Sequence, residues 1–190
     1  MTELMTLEEV ASFLRVGKRT MHRLLKDGCI PGTKVGRQWR FDKASIDEWL
    51  HRNSAGVSVS ILVIDDDELT RALFRETLEE LGHRVVTARD GTEGLDLVKQ
   101  REFSLVFLDL KMPGMDGAEV FQEIRTIRPN LPVTIVTGYP DSNMMARALV
   151  QGPFGVMRKP FDDADIRIAV NSFLQVSKAT GKMIGESHYH

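Results

Sequence analysis

Two short apolar runs in this sequence end in carboxylates. Val59-Ser60-Ile61-Leu62-Val63-Ile64 runs into Asp65-Asp66-Asp67-Glu68, and Leu105-Val106-Phe107-Leu108 runs into Asp109, with Lys111-Met112-Pro113-Gly114-Met115-Asp116-Gly117 close behind. Runs of this kind predict strands buried on both faces, as in parallel sheets. A carboxylate at the last residue of such a strand stands at the carboxyl edge of the sheet, where open α/β folds bind their ligands. If the two strands are neighbours, three or four carboxylates meet at one edge. Like charges at that density are stable only with a cation among them. The chemistry expected is therefore that of an acidic, metal-dependent site built on Asp65, Asp66 and Asp109. Two further polar residues fall at strand ends: Thr137 closes Val133-Thr134-Ile135-Val136, and Lys159 closes a last strand just before Pro160.

The elements that must position these residues alternate regularly. Strands are predicted near 59–64, 84–87, 104–108, 132–136 and 154–158, and helices near 68–81, 91–100, 117–127, 142–150 and 163–176. Leu69, Leu73, Phe74, Leu78 and Leu81 keep helical spacing, as do Ile166, Ala169, Val170, Phe173 and Leu174. Five strands, each followed by a helix, predict an α/β fold with a doubly wound parallel five-stranded sheet and right-handed crossovers. In the flavodoxin-like order 2-1-3-4-5 the first and third strands are adjacent, which sets Asp65 and Asp66 beside Asp109.

Taken singly, each motif fits a plain reading as well as a functional one: Asp65–Asp67 as a charged loop or helix start, and Lys159 as a solvated lysine. As an ordered set the motifs resemble the receiver domain of bacterial two-component response regulators over residues 59–178. The resemblance rests on Asp65-Asp66, on Asp109 with its Met112-Pro113-Gly114-Met115-Asp116-Gly117 turn, on Thr137-Gly138 and on Lys159-Pro160-Phe161. It implies that Asp109 accepts a phosphoryl group from a histidine kinase, a phosphotransfer protein or a small phosphodonor, with Mg²⁺ bound. By resemblance, Asp66 and Asp109 would ligate the ion directly, Asp65 through water, and Lys111 through its backbone carbonyl. Lys159 and Thr137 would contact phosphoryl oxygens, and the Lys159-Pro160 bond would be cis. These residue types suit the chemistry. Phosphoryl transfer asks the protein for positioning and charge neutralisation, and Mg²⁺ takes oxygen ligands in octahedral array. Two places depart from the family pattern: Val156 stands where an aromatic residue usually reports engagement of the threonine, and Gly152-Pro153 stands where the family often has Gly-Ala. By the same resemblance, the side chains of Lys111 and Tyr139 flank the path of the water that removes the phosphoryl group.

The first 53 residues follow another pattern. Thr6 and Glu9 form a capping box ahead of Val10, Ala11, Phe13 and Leu14, and Val16-Gly17 predicts a turn before a second helix over Arg19–Leu25. Lys34-Val35-Gly36-Arg37-Gln38-Trp39-Arg40-Phe41 predicts a hairpin with Gly36-Arg37 at its tip, and a last helix covers about Lys43–Arg52. With Gly28-Cys29-Ile30-Pro31 and Glu48-Trp49-Leu50, this succession resembles the small excisionase-type, MerR-like winged helix-turn-helix domains. The resemblance implies contact with double-stranded DNA. Lys18, Arg19, Thr20, His22, Arg23 and Lys26 would enter the major groove, and Lys34, Arg37 and Arg40 of the wing would reach phosphates or the minor groove.

Charge follows the same division. Residues 1–53 hold ten Lys/Arg against seven Asp/Glu, and residues 54–190 hold fifteen against twenty, within a net charge of -2. Asn53-Ser54-Ala55-Gly56-Val57-Ser58 has linker composition, giving domains at 1–53 and 59–178, a linker at 54–58 and a flexible tail at 179–190. The lone Cys29 fits a reducing cytoplasm, and no apolar run reaches membrane-spanning length. The absence of a GxxxxGK[ST] motif removes ATP-driven promoter activation, and enzymatic activity beyond metal-dependent self-phosphorylation at Asp109 is not expected. Two classes of function fit. In one, the chain is a DNA-binding response regulator that dimerises on phosphorylation; in the other, it is a phosphorelay or signalling adaptor whose N-terminal domain binds protein.

Overall fold

A computed structural model describes residues 4–51 and 57–179. Most of the expected linker (54–56) and all but the first residue of the expected tail (180–190, with His188-Tyr189-His190) lie outside the described residues. The chain divides into two compact units, Met1–Ala55 with Ile168–His190, and Gly56–Arg167.

In the first unit the elements are β1 (Leu4–Met5), α1 (Leu7–Phe13), α2 (Lys18–Lys26), β2 (Thr33–Val35), β3 (Gln38–Asp42) and α3 (Lys43–His51). The capping box is present: Thr6 Oγ1 accepts the Glu9 amide at 3.2 Å and Glu9 Oε2 accepts the Thr6 amide at 2.7 Å. Strands β2 and β3 form the hairpin, with Val35 opposite Gln38 and Gly36-Arg37 between them. Gly36 has φ +63°, a left-handed conformation that glycine adopts without penalty. Strand β1, which the sequence did not announce, pairs antiparallel with β3. Two residues are too few to show alternation. Val10, Leu14, Met21, Leu24, Phe41 and Ile46 are fully buried. The Trp49 indole is half-buried and donates to the Cys29 carbonyl at 2.7 Å. Within this unit the Gln175 side-chain amide also donates to the Leu50 carbonyl at 3.4 Å.

The remaining elements are β4 (Ser60–Ile64), α4 (Glu68–Glu80), β5 (Arg84–Ala88), α5 (Gly91–Gln100), β6 (Leu105–Asp109), α6 (Gly117–Ile127), β7 (Val133–Thr137), α7 (Asn143–Val150), β8 (Gly155–Arg158) and α8 (Asp163–Ala179), the last divided between the two units at Arg167 and Ile168. All five strands are parallel, in the order β5-β4-β6-β7-β8. In the register, Ile64 lies opposite Leu108 and Asp109 opposite Val136, so the chain leaves β4 beside the end of β6. One sheet face carries Leu62, Ile64, Val106, Leu108, Val133 and Ile135 against Leu95, Val98, Val120, Phe121, Ile124, Met145 and Ala148 of α5, α6 and α7. On the other face Phe74 of α4 meets Phe107, ring centroids 4.8 Å apart. Strand β6 is buried at all five positions, the condition its apolar run predicted.

Candidate metal and phosphoacceptor site

At the carboxyl edge of β4 and β6, Asp65, Asp66 and Asp109 each bring a carboxylate oxygen within 4.8 Å of the others. Asp65 and Asp109 are nearly inaccessible, at 2% and 5% exposure, whereas Asp66 is exposed. Lys159, in the first position after β8, ties the buried pair together. Its Nζ donates to Asp109 Oδ2 at 2.7 Å and to Asp65 Oδ2 at 2.9 Å. The remaining oxygens of that pair are also engaged: Asp65 Oδ1 accepts the Asp67 amide at 2.9 Å, and Asp109 Oδ1 accepts the Lys111 amide at 3.2 Å. The Lys159-Pro160 peptide is cis.

Burial is the dominant influence on Asp65 and pushes its carboxyl pKa up; the Lys159 hydrogen bond opposes that shift and the Asp109 charge adds to it. For Lys159, burial works against the charged form. The hydrogen bonds to Asp109 and Asp65 outweigh it, so the pKa lies above the ordinary lysine value. Lys159 pairs with Asp65 and Asp109 only, so the exposed Asp66 carboxylate beside them has no share of that ammonium. All three donors are hard oxygens at mutually close range, the donor set of a Mg²⁺-type cation rather than of a thiolate- or imidazole-seeking metal.

Thr137 closes β7 and is 1% exposed, its Oγ1 accepting the Tyr139 amide at 3.0 Å. Above it, Lys111 Nζ donates to Tyr139 Oη at 3.1 Å and lies 4.3 Å from that ring's centroid, so the two side chains expected to flank the water path touch each other. Val156 is half-buried against the core. Sequence reasoning missed Arg71, whose Nη1 donates to the Asp65 and Asp66 carbonyls, and Arg147, whose Nη1 is 2.8 Å from Asp116 Oδ2. No spacing rule marks either, because both are ordinary helical arginines until the chain folds.

On the first unit, Lys18, Arg19, His22, Arg23 and Lys26 project from α2 into solvent, and Lys34 and Arg37 are exposed on the wing. Lys18 lies 3.8 Å from Glu8. Thr20 requires correction. Expected among the groove-facing residues, it is only 7% exposed, because the helical turn carries it onto the same side as Met21 and Leu24. Arg40 is half-buried and donates within its own strand, to the Trp39 carbonyl at 3.0 Å and to Gln38 Oε1 at 2.6 Å.

Comparison with known proteins bears on this geometry. The response regulator receiver domain family matches residues 61–171, and a helix-turn-helix domain family matches residues 4–54. The chain belongs to the response regulator receiver family, with a helix-turn-helix domain ahead of the receiver. It is 32% identical over 133 residues to the transcriptional regulatory protein ZraR of Klebsiella oxytoca, a match covering 70% of this chain and 30% of that protein. It is 36% identical over 114 residues to sporulation initiation phosphotransferase F of Bacillus subtilis (strain 168), covering 60% of this chain and 92% of that protein. Among solved structures, a response regulator receiver domain protein (CheY-like) from Methanospirillum hungatei JF-1 superposes with a TM-score of 0.61 at 25% identity, covering 67% of this chain and all of that one. A receiver domain protein from Clostridium thermocellum gives 0.58 at 33% identity, covering 66% of this chain and 99% of that one.

Proposed function

We propose that this chain is a response regulator in which Asp109 accepts a phosphoryl group from a histidine kinase or phosphotransfer protein and thereby controls DNA binding by the N-terminal helix-turn-helix. One observation carries the reading. Asp109 is buried at the end of the central strand, ion-paired to Lys159 at 2.7 Å, with oxygens of Asp65 and Asp66 within 4.8 Å. An Asp109 carboxylate oxygen attacks the donor's phosphorus. A P–O bond to Asp109 forms as the donor's bond to phosphorus breaks, and the electron pair leaves with the donor group. Lys159 holds the acceptor carboxylate and balances charge on a phosphoryl oxygen. Thr137 at the adjacent strand end offers a hydroxyl for another oxygen. Asp65, Asp66 and Asp109, with the Lys111 carbonyl, would hold Mg²⁺, which when bound neutralises charge on the transferring group. The Lys111–Tyr139 contact over the site supports slow hydrolysis and a long-lived signal. Incubation with a small phosphodonor and Mg²⁺, followed by mass spectrometry, should show one added phosphoryl group on wild type and none on Asp109→Asn; modification of both proteins alike would refute the assignment.

The exposed cations of α2 and the wing support DNA as the output partner. A single module of this size makes a small contact, so useful affinity calls for two linked copies and for a receiver that dimerises on phosphorylation. Among the described residues no helix is long and apolar enough to cross a membrane, in keeping with action in the cytoplasm. The match to a phosphotransferase over 92% of its length favours a second reading, a relay adaptor whose N-terminal unit binds protein. Salt-dependent binding of duplex DNA decides between them.

A further inference from the structure

The turn that presents Asp65 and Asp66 leaves the sheet one hydrogen bond after β4, the Asp65 amide still donating to the Ala88 carbonyl at 3.2 Å. Pairing of β4 ends at Ile64, opposite both Ala88 and Leu108, and α4 begins at Glu68. The carbonyls of Asp65 and Asp66 therefore fall where neither sheet nor helix supplies a donor. Arg71, one turn into α4, supplies both. Its Nη1 donates to the Asp65 carbonyl at 2.7 Å and to the Asp66 carbonyl at 2.9 Å. Water could satisfy these carbonyls equally well, but a hydration shell would not fix their direction. A guanidinium anchored on a helix does.

We propose that Arg71 is a positioning residue for the cation site: by clamping the Asp65 and Asp66 carbonyls it fixes the two peptide planes from which those carboxylates project toward Asp109. The proposal rests on reading Asp65, Asp66 and Asp109 as a Mg²⁺ site. Three local contacts complete the clamp. The Asp67 amide donates to Asp65 Oδ1 at 2.9 Å, Asp67 Oδ2 caps α4 by accepting the Thr70 amide at 3.0 Å, and the Arg71 amide donates to the Asp67 carbonyl at 3.1 Å. The helix start, the acidic pair and the arginine thus form one closed loop of hydrogen bonds, and helix α4 sets the direction of two cation ligands. Removing the clamp frees the 65–67 turn to relax toward solvent, and the ordering must then be paid back on cation binding.

The test compares wild type with Arg71→Met, which keeps the aliphatic stem and loses the donors, and Arg71→Lys, which keeps a cationic donor. On the full chain, Mg²⁺ affinity is measured by titration calorimetry. Hydrogen exchange at the Asp67 amide is followed without metal, and thermal melting controls for global stability. Arg71→Met should weaken Mg²⁺ by about 10- to 100-fold, as loss of a group that orients metal ligands does. It should speed Asp67 exchange while leaving the melting profile close to wild type, and Arg71→Lys should recover part of both losses. If Arg71→Met matched wild type in Mg²⁺ affinity and in Asp67 exchange, the clamp would be wrong; a loss only in step with global unfolding would also overturn it. If wild type itself bound no Mg²⁺, the metal reading would fail, and the exchange measurement would still decide the role of Arg71.

Discussion

The acidic edge of the receiver and the basic face of the helix-turn-helix suit their proposed functions by opposite means. Asp65, Asp109 and Thr137 are almost wholly buried at three different strand ends, and Lys159 from a fourth joins the two carboxylates. Lys18, Arg19, His22 and Arg23 instead stand in solvent on one helix. Bond making at a phosphorus atom needs groups fixed before the donor arrives, and only a packed sheet edge can fix them. Recognition of a polyanion needs reach and exposed charge, which a single helix supplies once its inner face is packed.

The contrast is broken or sharpened first at Lys159. Lys159→Ala leaves Asp65 and Asp109 buried without their shared ammonium. Phosphorylation from a small donor should slow on the order of 100- to 1,000-fold, and thermal stability should come to depend on Mg²⁺ more than in wild type. Duplex DNA affinity of the unphosphorylated chain should not change; a parallel loss there would show that the two regions are not separable in this way.

Two glycines give the next test. A Cβ on Gly117 would run into the Asp109 carbonyl and the Leu110 Cα, whereas one on Gly36 would meet nothing within 4 Å. Gly117→Ala should therefore cost about 3 kcal/mol in denaturant unfolding and displace the loop behind Asp109. Gly36→Ala should cost about 1–2 kcal/mol, from its left-handed backbone alone. Equal costs would contradict the idea that one region is crowded and the other open.

On the basic face, Arg23→Ala should lose sequence discrimination on the order of 1–3 kcal/mol if the side chain reads a base. Arg37→Ala should weaken all sequences alike and reduce the salt slope by about 1. Competition binding at several salt concentrations separates the two.

The smallest effect is expected at His83, which is 5% exposed with an unpartnered Nδ1. Burial lowers its pKa below the ordinary 6.5. The unfolded chain then takes up the proton first as pH falls, so this contribution to stability is present above about pH 6.5 and is lost below it, toward the folded-state pKa. His83→Gln should flatten that part of the pH–stability curve; an unchanged slope would assign it to other groups.

Much of this was legible because it was local or periodic. The apolar runs marked each of the five receiver strands to within about a residue, and Thr6 with Glu9 marked the start of α1. End-of-strand position identified Asp65, Asp66, Asp109, Thr137 and Lys159 before any contact was known. The opposite charges of the two regions were countable from composition. What the sequence could not determine were the individual side-chain contacts between elements distant in the chain, or choices between faces of one helix. The resemblance put Thr20 among the groove-facing residues, yet the rotation of α2 buries it with Met21 and Leu24. Strand β1 exists only because β3 offers an edge to a two-residue segment. Lys159 bridges Asp65 and Asp109 across 94 and 50 residues of chain, a meeting that strand order alone brings about. Arg71 on the acidic turn, Arg147 on Asp116 and Lys111 on Tyr139 are contacts of long, flexible side chains. Their partners are chosen by the packing of helices and loops, because hydrogen bonds of this kind depend on distance and angle in space and leave no period in the sequence.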